Sequence, residues 1–366
     1  MLPGPETPVT WPPSAGLGSS QRARKLTKRG PGRCLGQLLA CLLLNLPGTV
    51  TAADSSGERE GLYRRCQEAC VEVLVDGRHV GSGWFASRDG LAVTASHLLG
   101  DAGDPRVELL ANDDSRTTAT LVAIDRGHDL AVLRTATRRE AGRFLALARK
   151  APAVGEEIFQ FGAPLFRSGL LQTGRIAATR TAFEYYADLR DYVEIVHVAG
   201  MMQGGTSGGP WLNARGEVIG LQSGVMSLDG KPVGIAYLVP GEFIRNLLET
   251  LSNAATPSLG LGVDELWQQS GDFLQKLPGG AQGLVVAVLH ADGPAAKAGI
   301  KTQDVIISID REKVVRIREL LLRLRSRKPG DEVTLEVLTP GETNSVSRRV
   351  TLGCAEAGLA PTPGTP

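Results

Sequence analysis

The sequence predicts an all-β sandwich or barrel followed by a smaller domain of mixed helices and strands. Between residues 71 and 239, short β-like runs alternate with turn residues, and little helix pattern interrupts them. Beyond a small, polar segment, Ser252–Ser258, helix and strand patterns are mixed. Glycine accounts for 45 of the 366 residues, which fits a fold with many tight turns.

The first 53 residues differ in composition from the rest of the chain. Up to Arg33 the segment is rich in Pro, Gly and Ser and has six basic residues against one acidic residue; an apolar run then covers residues 34–50, and small residues follow at 51–53. This order is typical of a secretory signal peptide, and the apolar run is short for a membrane span, which needs about 20 residues. We expect cleavage near Ala52 or Ala53, with an uncleaved membrane anchor and a mitochondrial presequence as the alternatives.

Composition and charge describe an ordinary globular chain. Hydrophobic residues make up 42%, charged residues 22%, and the net charge is +1. No basic stripe lies inside the folded part, so we expect no nucleic-acid partner. Cys66 and Cys70 would form a disulfide in an exported chain or stay as two thiols in a short helix, and both interpretations remain open. No second ligand pair has matching spacing, so no metal site is expected.

Strands of the first domain are predicted where apolar and β-branched residues cluster between turns: Val71–Val75, Gly81–Phe85, Leu91–Thr94, Thr120–Ile124, Leu130–Leu133, Val193–Val198 and Val218–Gln222. Glu242–Leu251 has the amphipathic spacing of a helix and would close this domain. The second unit, about residues 259–352, has predicted strands and helices at Gly283–Val288, Ala295–Ala298, Val305–Ile309, Ile317–Arg327, Glu332–Leu338 and Ser345–Leu352.

A glycine-rich turn around Ser207 is the strongest chemical signal in the sequence. It consists of Gly204-Gly205-Thr206-Ser207-Gly208-Gly209-Pro210. Such a turn between strands exposes the serine and lets backbone N–H groups point at one spot. That spot would be an oxyanion hole, with the N–H groups of Gly205 and Ser207 as donors. Taken alone, the motif is equally compatible with a plain Gly/Ser turn.

A serine nucleophile needs a base, and the base needs an orienting carboxylate. His97 ends the apolar run at residues 92–97, where a strand end would hold it rigidly. The other histidines lack this context. His79 and His290 are in turn-like segments and are expected in solvent, and His197 is on a predicted strand and is expected to be structural. His128 adjoins Asp129 but does not end a strand. Asp129 precedes the apolar run Leu130–Leu133, where a carboxylate needs a hydrogen-bonding partner. We therefore predict His97, Asp129 and Ser207 as catalytic residues, with Asp125 as the rival carboxylate.

These residues occur in the order His, Asp, Ser, which is the chymotrypsin order. Around them, the chain resembles the HtrA/Deg family of trypsin-like serine proteases with a C-terminal PDZ domain. The resemblance is collinear over about residues 65–352 and is carried by these motifs: Gly81-Ser82-Gly83-Trp84-Phe85, Thr94-Ala95-Ser96-His97, Asp129-Leu130-Ala131-Val132-Leu133, Gly205-Thr206-Ser207-Gly208-Gly209-Pro210, Gly216-Glu217-Val218-Ile219-Gly220, Gly234-Ile235-Ala236-Tyr237-Leu238-Val239-Pro240, Leu261-Gly262-Val263, Pro294-Ala295-Ala296-Lys297-Ala298-Gly299-Ile300 and Lys328-Pro329-Gly330-Asp331-Glu332-Val333.

The resemblance implies an all-β chymotrypsin-like double β-barrel at residues 54–253, a small α+β PDZ domain at 254–354 and a disordered tail at 355–366. It implies ATP-independent cleavage of unfolded or misfolded proteins, without metal or cofactor, by a homotrimer or a multiple of trimers. The PDZ domain would bind peptide C-termini by strand addition, with the carboxylate near Leu261, Gly262 and Val263. The expected location is periplasmic or secreted, and the alternatives are membrane-anchored or in the mitochondrial intermembrane space.

Several residues depart from the family pattern. Thr206 stands where Asn is usual, Ala199 where Asp is usual, and Gln203-Gly204 replaces a more typical Asn-containing pair. The serine loop is therefore expected to rest in an inactive shape until a ligand orders it. In a chymotrypsin-type site, the residue six before the serine lines the primary pocket, which here is Met201, next to Met202. Their thioethers suit small or medium apolar groups, unless both residues belong to the barrel core.

Two other functions remain open. A membrane-tethered regulatory protease, anchored through residues 34–50, would cut one specific partner. A non-enzymatic PDZ holdase or scaffold on a protease fold would bind without cleaving, and the departures around Ser207 keep this alternative open.

Overall fold

The computed structural model describes residues 52–100, 105–136, 138–140 and 143–355. The predicted targeting segment up to residue 51, including the possible tether at 34–50, lies outside these residues. So does the predicted tail beyond residue 355. Within the described residues, no helix is both long and apolar enough to span a bilayer.

A closed six-stranded barrel follows the first helix, α1 (Ala52–Ala69). Its strands are β1 Cys70–Val75, β2 Arg78–Phe85, β3 Leu91–Thr94, β4 Val107–Ala111, β5 Arg116–Asp125 and β6 Leu130–Thr135. They are hydrogen-bonded in the order β1-β2-β3-β6-β5-β4. Cys66 in α1 and Cys70 in β1 are buried free thiols, and burial raises the pKa of Cys70 together with its hydrogen bond to Cys66. The structure therefore has the thiol form of this pair.

Strand β6 is buried from Leu130 to Leu133 on both of its faces. Ala131 and Leu133 pack inside the first barrel, whereas Leu130 and Val132 pack into a core shared with the second half of the domain. A strand with one solvent face would alternate apolar and polar residues. Burial on both sides explains the uninterrupted apolar run after Asp129.

A seven-stranded antiparallel sheet forms the second half of this domain. Its strands are β7 Glu157–Gly162, β8 Leu170–Ile176, β9 Ala182–Tyr186, β10 Asp191–Ala199, β11 Pro210–Leu212, β12 Val218–Leu228 and β13 Lys231–Pro240. An additional pairing of β13 with β10 closes this sheet on itself. Helix α2, Gly241–Thr250, then buries Ile244 and Leu247 against the shared core. The predicted all-β domain of two barrels is confirmed.

The C-terminal unit is an α+β fold, as predicted. Its elements are β14 Pro257–Ser258, β15 Leu261–Glu265, α3 Gly271–Leu274, β16 Leu284–Leu289, α4 Pro294–Lys297, β17 Val305–Ile309, β18 Glu312–Lys313, α5 Ile317–Arg325, β19 Glu332–Leu338, β20 Val346–Thr351 and β21 Gly353–Cys354. The main sheet has the order β15-β16-β17-β19-β20, which leaves β15 at an edge. Helix α5 packs beside β15 through Leu320 and Leu324, which share a core with Leu261 and Val263.

The predicted linker between the two units is bound to the first barrel. Asn253 Oδ1 accepts a hydrogen bond from the Ile124 N–H at 3.1 Å, and the Ala254 N–H donates to the Ile124 carbonyl at 2.9 Å. From the C-terminal unit, Arg325 of α5 donates to the carbonyl of Tyr192 in β10 at 2.6 Å. The two units therefore contact each other through specific hydrogen bonds as well as through the chain.

Candidate active site

His97 and Asp129 are paired beside the first barrel. His97 lies in a short 3-10 helix, Ser96–Leu99, directly after β3. Its Nδ1 is 2.8 Å from Asp129 Oδ2, and its backbone N–H donates to Asp129 Oδ1 at 2.9 Å. The Asp129 side chain is fully buried, and 17% of the His97 side chain is exposed. With Nδ1 bound to the carboxylate, Nε2 of His97 is the nitrogen that can accept a proton.

A tight turn before β6 places Asp129. A 3-10 helix, Arg126–His128, precedes it, and Asp129 has a left-handed φ of 52°, which Asp tolerates better than most residues. The rival carboxylate of Asp125 caps this helix by accepting from the His128 N–H at 3.2 Å, and it lies 2.7 Å from His128 Nδ1. Asp125 thus pairs with His128, whereas Asp129 pairs with His97.

For both His97 and Asp129, burial shifts the pKa in one direction and charge pairing shifts it in the other. Burial lowers the pKa of His97, but the charge and hydrogen bond of Asp129 outweigh it, and the pKa is raised overall. Burial raises the pKa of Asp129, but the charge of His97 and hydrogen bonds from His97 and Ser223 hold it below its usual value. Asp129 is therefore an anion at neutral pH, and it stabilises the protonated form of His97.

Ser207 lies in the turn between β10 and β11, on the same network. Its hydroxyl donates to the carbonyl of Ser223 at 2.9 Å, and among the described residues no hydrogen bond joins it to His97. The Ser223 hydroxyl in turn donates to Asp129 Oδ2 at 2.5 Å. The structure therefore brings the three predicted residues to one site, with the serine hydroxyl turned towards Ser223.

Ser82 of β2 holds the serine turn against the first barrel. Its N–H donates to the Ser207 carbonyl at 2.8 Å, and its hydroxyl donates to the Gly205 carbonyl at 2.8 Å while accepting from the Ala163 N–H at 3.1 Å. Gly205 has a φ of 92°, and a Cβ there would lie 2.3 Å from the Ala163 carbonyl oxygen, so this position requires glycine. The N–H groups of Gly205 and Ser207 donate to no other described residue, which leaves them free for an oxyanion.

Of the residues that depart from the family pattern, Thr206 packs within the turn, whereas Ala199 ends β10 and is exposed. The Thr206 hydroxyl donates to the Gln203 carbonyl at 2.7 Å and thereby cross-links the loop, away from the nucleophile. Met201 is 53% exposed, whereas Met202 is 1% exposed and packs with Trp211 in the core of the second barrel. The burial of Met202 favours the core interpretation for this residue. Met201 remains the candidate for the primary pocket.

Ser223 and Tyr186 belong to this network, although the sequence analysis did not identify them. Ser223 is 1% exposed within β12, and the Tyr186 hydroxyl at the end of β9 lies 2.8 Å from its Oγ. A signal for Ser223 was present, because a buried serine in an apolar strand needs a hydrogen-bond partner. No local signal marks Tyr186, because its partner lies on a distant strand.

The other histidines have partners as well. His79, which we expected in solvent, is half-buried, and its Nδ1 lies 2.9 Å from Glu72. His290, expected in solvent too, is half-buried, with its Nε2 2.7 Å from the hydroxyl of Tyr185. Both expectations are wrong, because His79 lies within β2 rather than in a turn, and His290, directly after β16, packs against Tyr185 of β9. His197 contacts Glu184 at 3.3 Å, in agreement with a structural role.

The predicted peptide-binding residues of the C-terminal unit begin the edge strand β15, and the hairpin of β9 and β10 covers that edge. The Tyr192 hydroxyl accepts from the Val263 N–H at 2.7 Å and donates to the Val263 carbonyl at 3.2 Å. The ring of Tyr185 lies 3.1 Å from where a Cβ on Gly262 would be, and Leu261 is buried. A tyrosine of the first domain therefore holds the backbone groups that an added peptide strand would use.

Comparison with known proteins agrees with this arrangement. Residues 81–221 match the trypsin-like peptidase domain, and residues 257–350 match the PDZ domain. A protein of Halomonas elongata named as a probable periplasmic serine endoprotease, DegP-like, is 30% identical over 281 residues, which cover 75% of this chain and 56% of that protein. A protein of the same name from Bartonella henselae is 29% identical over 269 residues, covering 73% and 52%. The chain thus spans about half the length of these curated relatives.

A solved structure of the HtrA-type protease AlgW with a decapeptide has the same fold. The TM-score is 0.57 at 22% identity, and the alignment covers 83% of this chain and 99% of that chain. Two barrels with the trypsin-like match, followed by an α+β unit with the PDZ match, reproduce the domain order that the motifs predicted. The chain therefore consists of a trypsin-like peptidase domain followed by a C-terminal PDZ domain, which is the domain order of the HtrA family that its motifs resemble.

Proposed function

We propose that this protein is a serine endopeptidase with Ser207 as nucleophile, His97 as base and Asp129 as the carboxylate that orients the base. One observation carries the proposal: the buried carboxylate of Asp129 binds His97 Nδ1 at 2.8 Å and the Ser223 hydroxyl at 2.5 Å, and the backbone carbonyl of the same Ser223 accepts from the Ser207 hydroxyl at 2.9 Å. Rotation of the Ser207 side chain away from the Ser223 carbonyl would turn its hydroxyl towards His97 Nε2.

The chemistry is an acyl transfer in two steps. His97 takes the proton of Ser207 while Ser207 Oγ attacks the substrate carbonyl. The N–H groups of Gly205 and Ser207 then donate to the oxyanion. His97 then gives the proton to the leaving amine. Water, deprotonated by His97, hydrolyses the ester on Ser207 and restores the enzyme.

The proposed substrates are unfolded or misfolded proteins, cleaved without ATP. With Met201 at the primary pocket, cleavage follows Val, Ala, Ile, Leu or Met, because a thioether accommodates several apolar shapes. Peptide C-termini bind the PDZ domain at Leu261, Gly262 and Val263 once the tyrosines of the hairpin withdraw. The names of the relatives support a periplasmic location. We also propose the domain boundaries 54–253 and 254–354 and assembly as a homotrimer or a multiple of trimers.

Substitution of the nucleophile tests the proposal. The purified chain is incubated with unfolded casein in the absence of ATP, beside Ser207→Ala and the control Ser227→Ala, which replaces an exposed serine of β12. We expect the parent and the control to cleave casein, and Ser207→Ala to lose on the order of 10⁶-fold of the turnover. Mass spectrometry of the products identifies the cleaved bonds. Cleavage mainly after Lys or Arg would contradict the apolar pocket. Undiminished cleavage by Ser207→Ala would show that Ser207 is not the nucleophile.

Two alternatives have distinct outcomes. A non-enzymatic PDZ holdase predicts that no chain cleaves casein while every chain suppresses its aggregation. A membrane-tethered regulatory protease predicts that residues 34–50 remain in the mature protein, which N-terminal sequencing detects. Light scattering of the purified protein tests the trimer.

A further inference from the structure

A buried tyrosine, Tyr186, extends the hydrogen-bond network of Asp129 beyond Ser223. Asp129 Oδ1 accepts from the Ser96 hydroxyl and the His97 N–H, each at 2.9 Å. Oδ2 accepts from His97 Nδ1 at 2.8 Å and from the Ser223 hydroxyl at 2.5 Å. The Tyr186 hydroxyl lies 2.8 Å from the same Ser223 oxygen.

Proton counting fixes the direction of these bonds. A serine hydroxyl has one proton, and an ionised carboxylate can only accept. The Ser223 proton therefore points at Asp129, and the Tyr186 hydroxyl must donate to Ser223 Oγ. The result is a chain of two hydroxyl groups that both donate towards Asp129, opposite the donation from His97. Successive donors polarise one another, so the outer hydroxyl strengthens the inner bond.

The fold makes room for this hydroxyl. A Cβ on Gly224, the residue after Ser223, would lie 2.5 Å from the Tyr186 hydroxyl oxygen, so any side chain there would displace it. The ring centroids of Tyr186 and His97 are 6.2 Å apart, which makes Tyr186 a wall of the site as well. Neighbouring residues on a strand point to opposite faces. Tyr185 accordingly contacts Gly262 of the PDZ domain while Tyr186 faces the active site.

We propose that Tyr186 is a positioning residue for the reaction: through Ser223, it fixes the Asp129 carboxylate and takes up part of its negative charge. This inference rests on the proposed protease function. Without the tyrosine hydroxyl, Ser223 becomes a weaker donor, and more of the carboxylate charge acts on His97. The imidazolium form of His97 then becomes more stable.

Other titratable groups near the network are few among the described residues. Burial raises the pKa of Tyr186, and Asp129, Tyr237 and Glu184 raise it further. Asp129 and Asp188 raise the pKa of His97 against the opposing effect of burial. None of these is altered by Tyr186→Phe. A change in the titration of His97 in that variant therefore reports the lost hydroxyl.

The test is Tyr186→Phe in the full chain, with Tyr237→Phe as the matched control. Tyr237 is a buried tyrosine near Glu184, and among the described residues its hydroxyl makes no hydrogen bond to Ser223. The titration of His97 is followed by NMR on protein with ¹³C-labelled histidine, and kcat and KM are measured on a peptide substrate. In Tyr186→Phe we expect the pKa of His97 to rise by roughly 0.3–0.7 of a pH unit. We expect kcat to fall about threefold to tenfold with KM nearly unchanged.

Ser223→Ala, alone and combined with Tyr186→Phe, shows whether Tyr186 acts through Ser223. If it does, the second substitution adds nothing to the first in either measurement. An unchanged His97 titration in Tyr186→Phe, or an equal shift in Tyr237→Phe, would overturn the proposal. The NMR measurement needs no turnover. Failure of the parent chain to cleave any substrate would therefore count against the protease function alone, and the titration would still decide on Tyr186.

Discussion

The hydrogen bond between His97 and Asp129 determines how the proposed activity depends on pH. The pKa of His97 is raised, because the charge and hydrogen bond of Asp129 outweigh the opposing effect of burial. As a base His97 must be neutral, so protonation on the acid side stops the reaction. We expect kcat/KM to fall with decreasing pH, with a midpoint above the ordinary histidine value of about 6.5.

A pH profile of kcat/KM on a peptide substrate at constant ionic strength measures this midpoint. Asp129→Asn is the informative comparison, since it removes the cause of the shift. Its residual activity should have a midpoint at a lower pH than that of the parent. A parent midpoint at or below pH 6.5 would show that burial outweighs the pairing.

Ser82 is a second residue whose role can be measured. Its hydroxyl bonds the Gly205 carbonyl and the Ala163 N–H, both buried beneath the serine turn. Ser82→Ala leaves both groups without a partner, which costs about 1–3 kcal/mol per group. We expect a lower free energy of unfolding in urea and a lower kcat, because the Gly205 N–H moves with its carbonyl. Ser227→Ala is the control, and equal stability of both variants would contradict this role.

At the scale of elements, the hairpin of β9 and β10 would compete with the peptide that we propose binds at the edge of β15. Tyr192 occupies both backbone groups of Val263, so a peptide strand would bind at this edge only after this tyrosine leaves. Removal of the hydroxyl in Tyr192→Phe favours the open state. We expect the full chain to bind a peptide with a free apolar C-terminus about threefold to tenfold more tightly.

Fluorescence anisotropy with a labelled peptide measures this affinity, and the amidated peptide shows whether the carboxylate is recognised. Tyr63→Phe is the control, because the Tyr63 hydroxyl lies in α1 and accepts from Gln67. Equal affinities of the parent and Tyr192→Phe would mean that the hairpin does not limit access to the groove.

The same hairpin shows why the sequence predicted some elements and missed others. Leu130–Leu133 and Val218–Gln222 are local apolar runs, and both form strands as predicted. Ala182–Tyr186 was not predicted, because Phe183 and Tyr185 pack against the PDZ domain and no local pattern contains that contact. Helix α5 ends two residues earlier than predicted, at Arg325, which turns to bond the Tyr192 carbonyl.

At the scale of the whole molecule, family motifs predicted the barrels, the PDZ unit and the pairing of His97 with Asp129. The motifs did not contain the contacts between domains. The bond from Asn253 to Ile124 spans 129 residues, and that from Arg325 to Tyr192 spans 133. The orientation of the Ser207 hydroxyl also depends on Ser223, which follows it by 16 residues on another strand. These contacts and this side-chain orientation depend on packing between segments that are far apart in the sequence, and a sequence motif contains no information on such packing.

Strand β6 is buried on both of its faces, and this burial limits the ways in which the active site can be disrupted. A slip of this strand by one residue would exchange Ala131 and Leu133 with Leu130 and Val132 between the two cores, and it would move Asp129 by about 3.3 Å along the strand axis. The backbone amides of β6 bond to β3 and β5, so we expect them to exchange with solvent only when the first barrel opens. On heating, the carboxylate of Asp129 should therefore stay in place until the first barrel unfolds, and loss of activity should coincide with loss of that barrel.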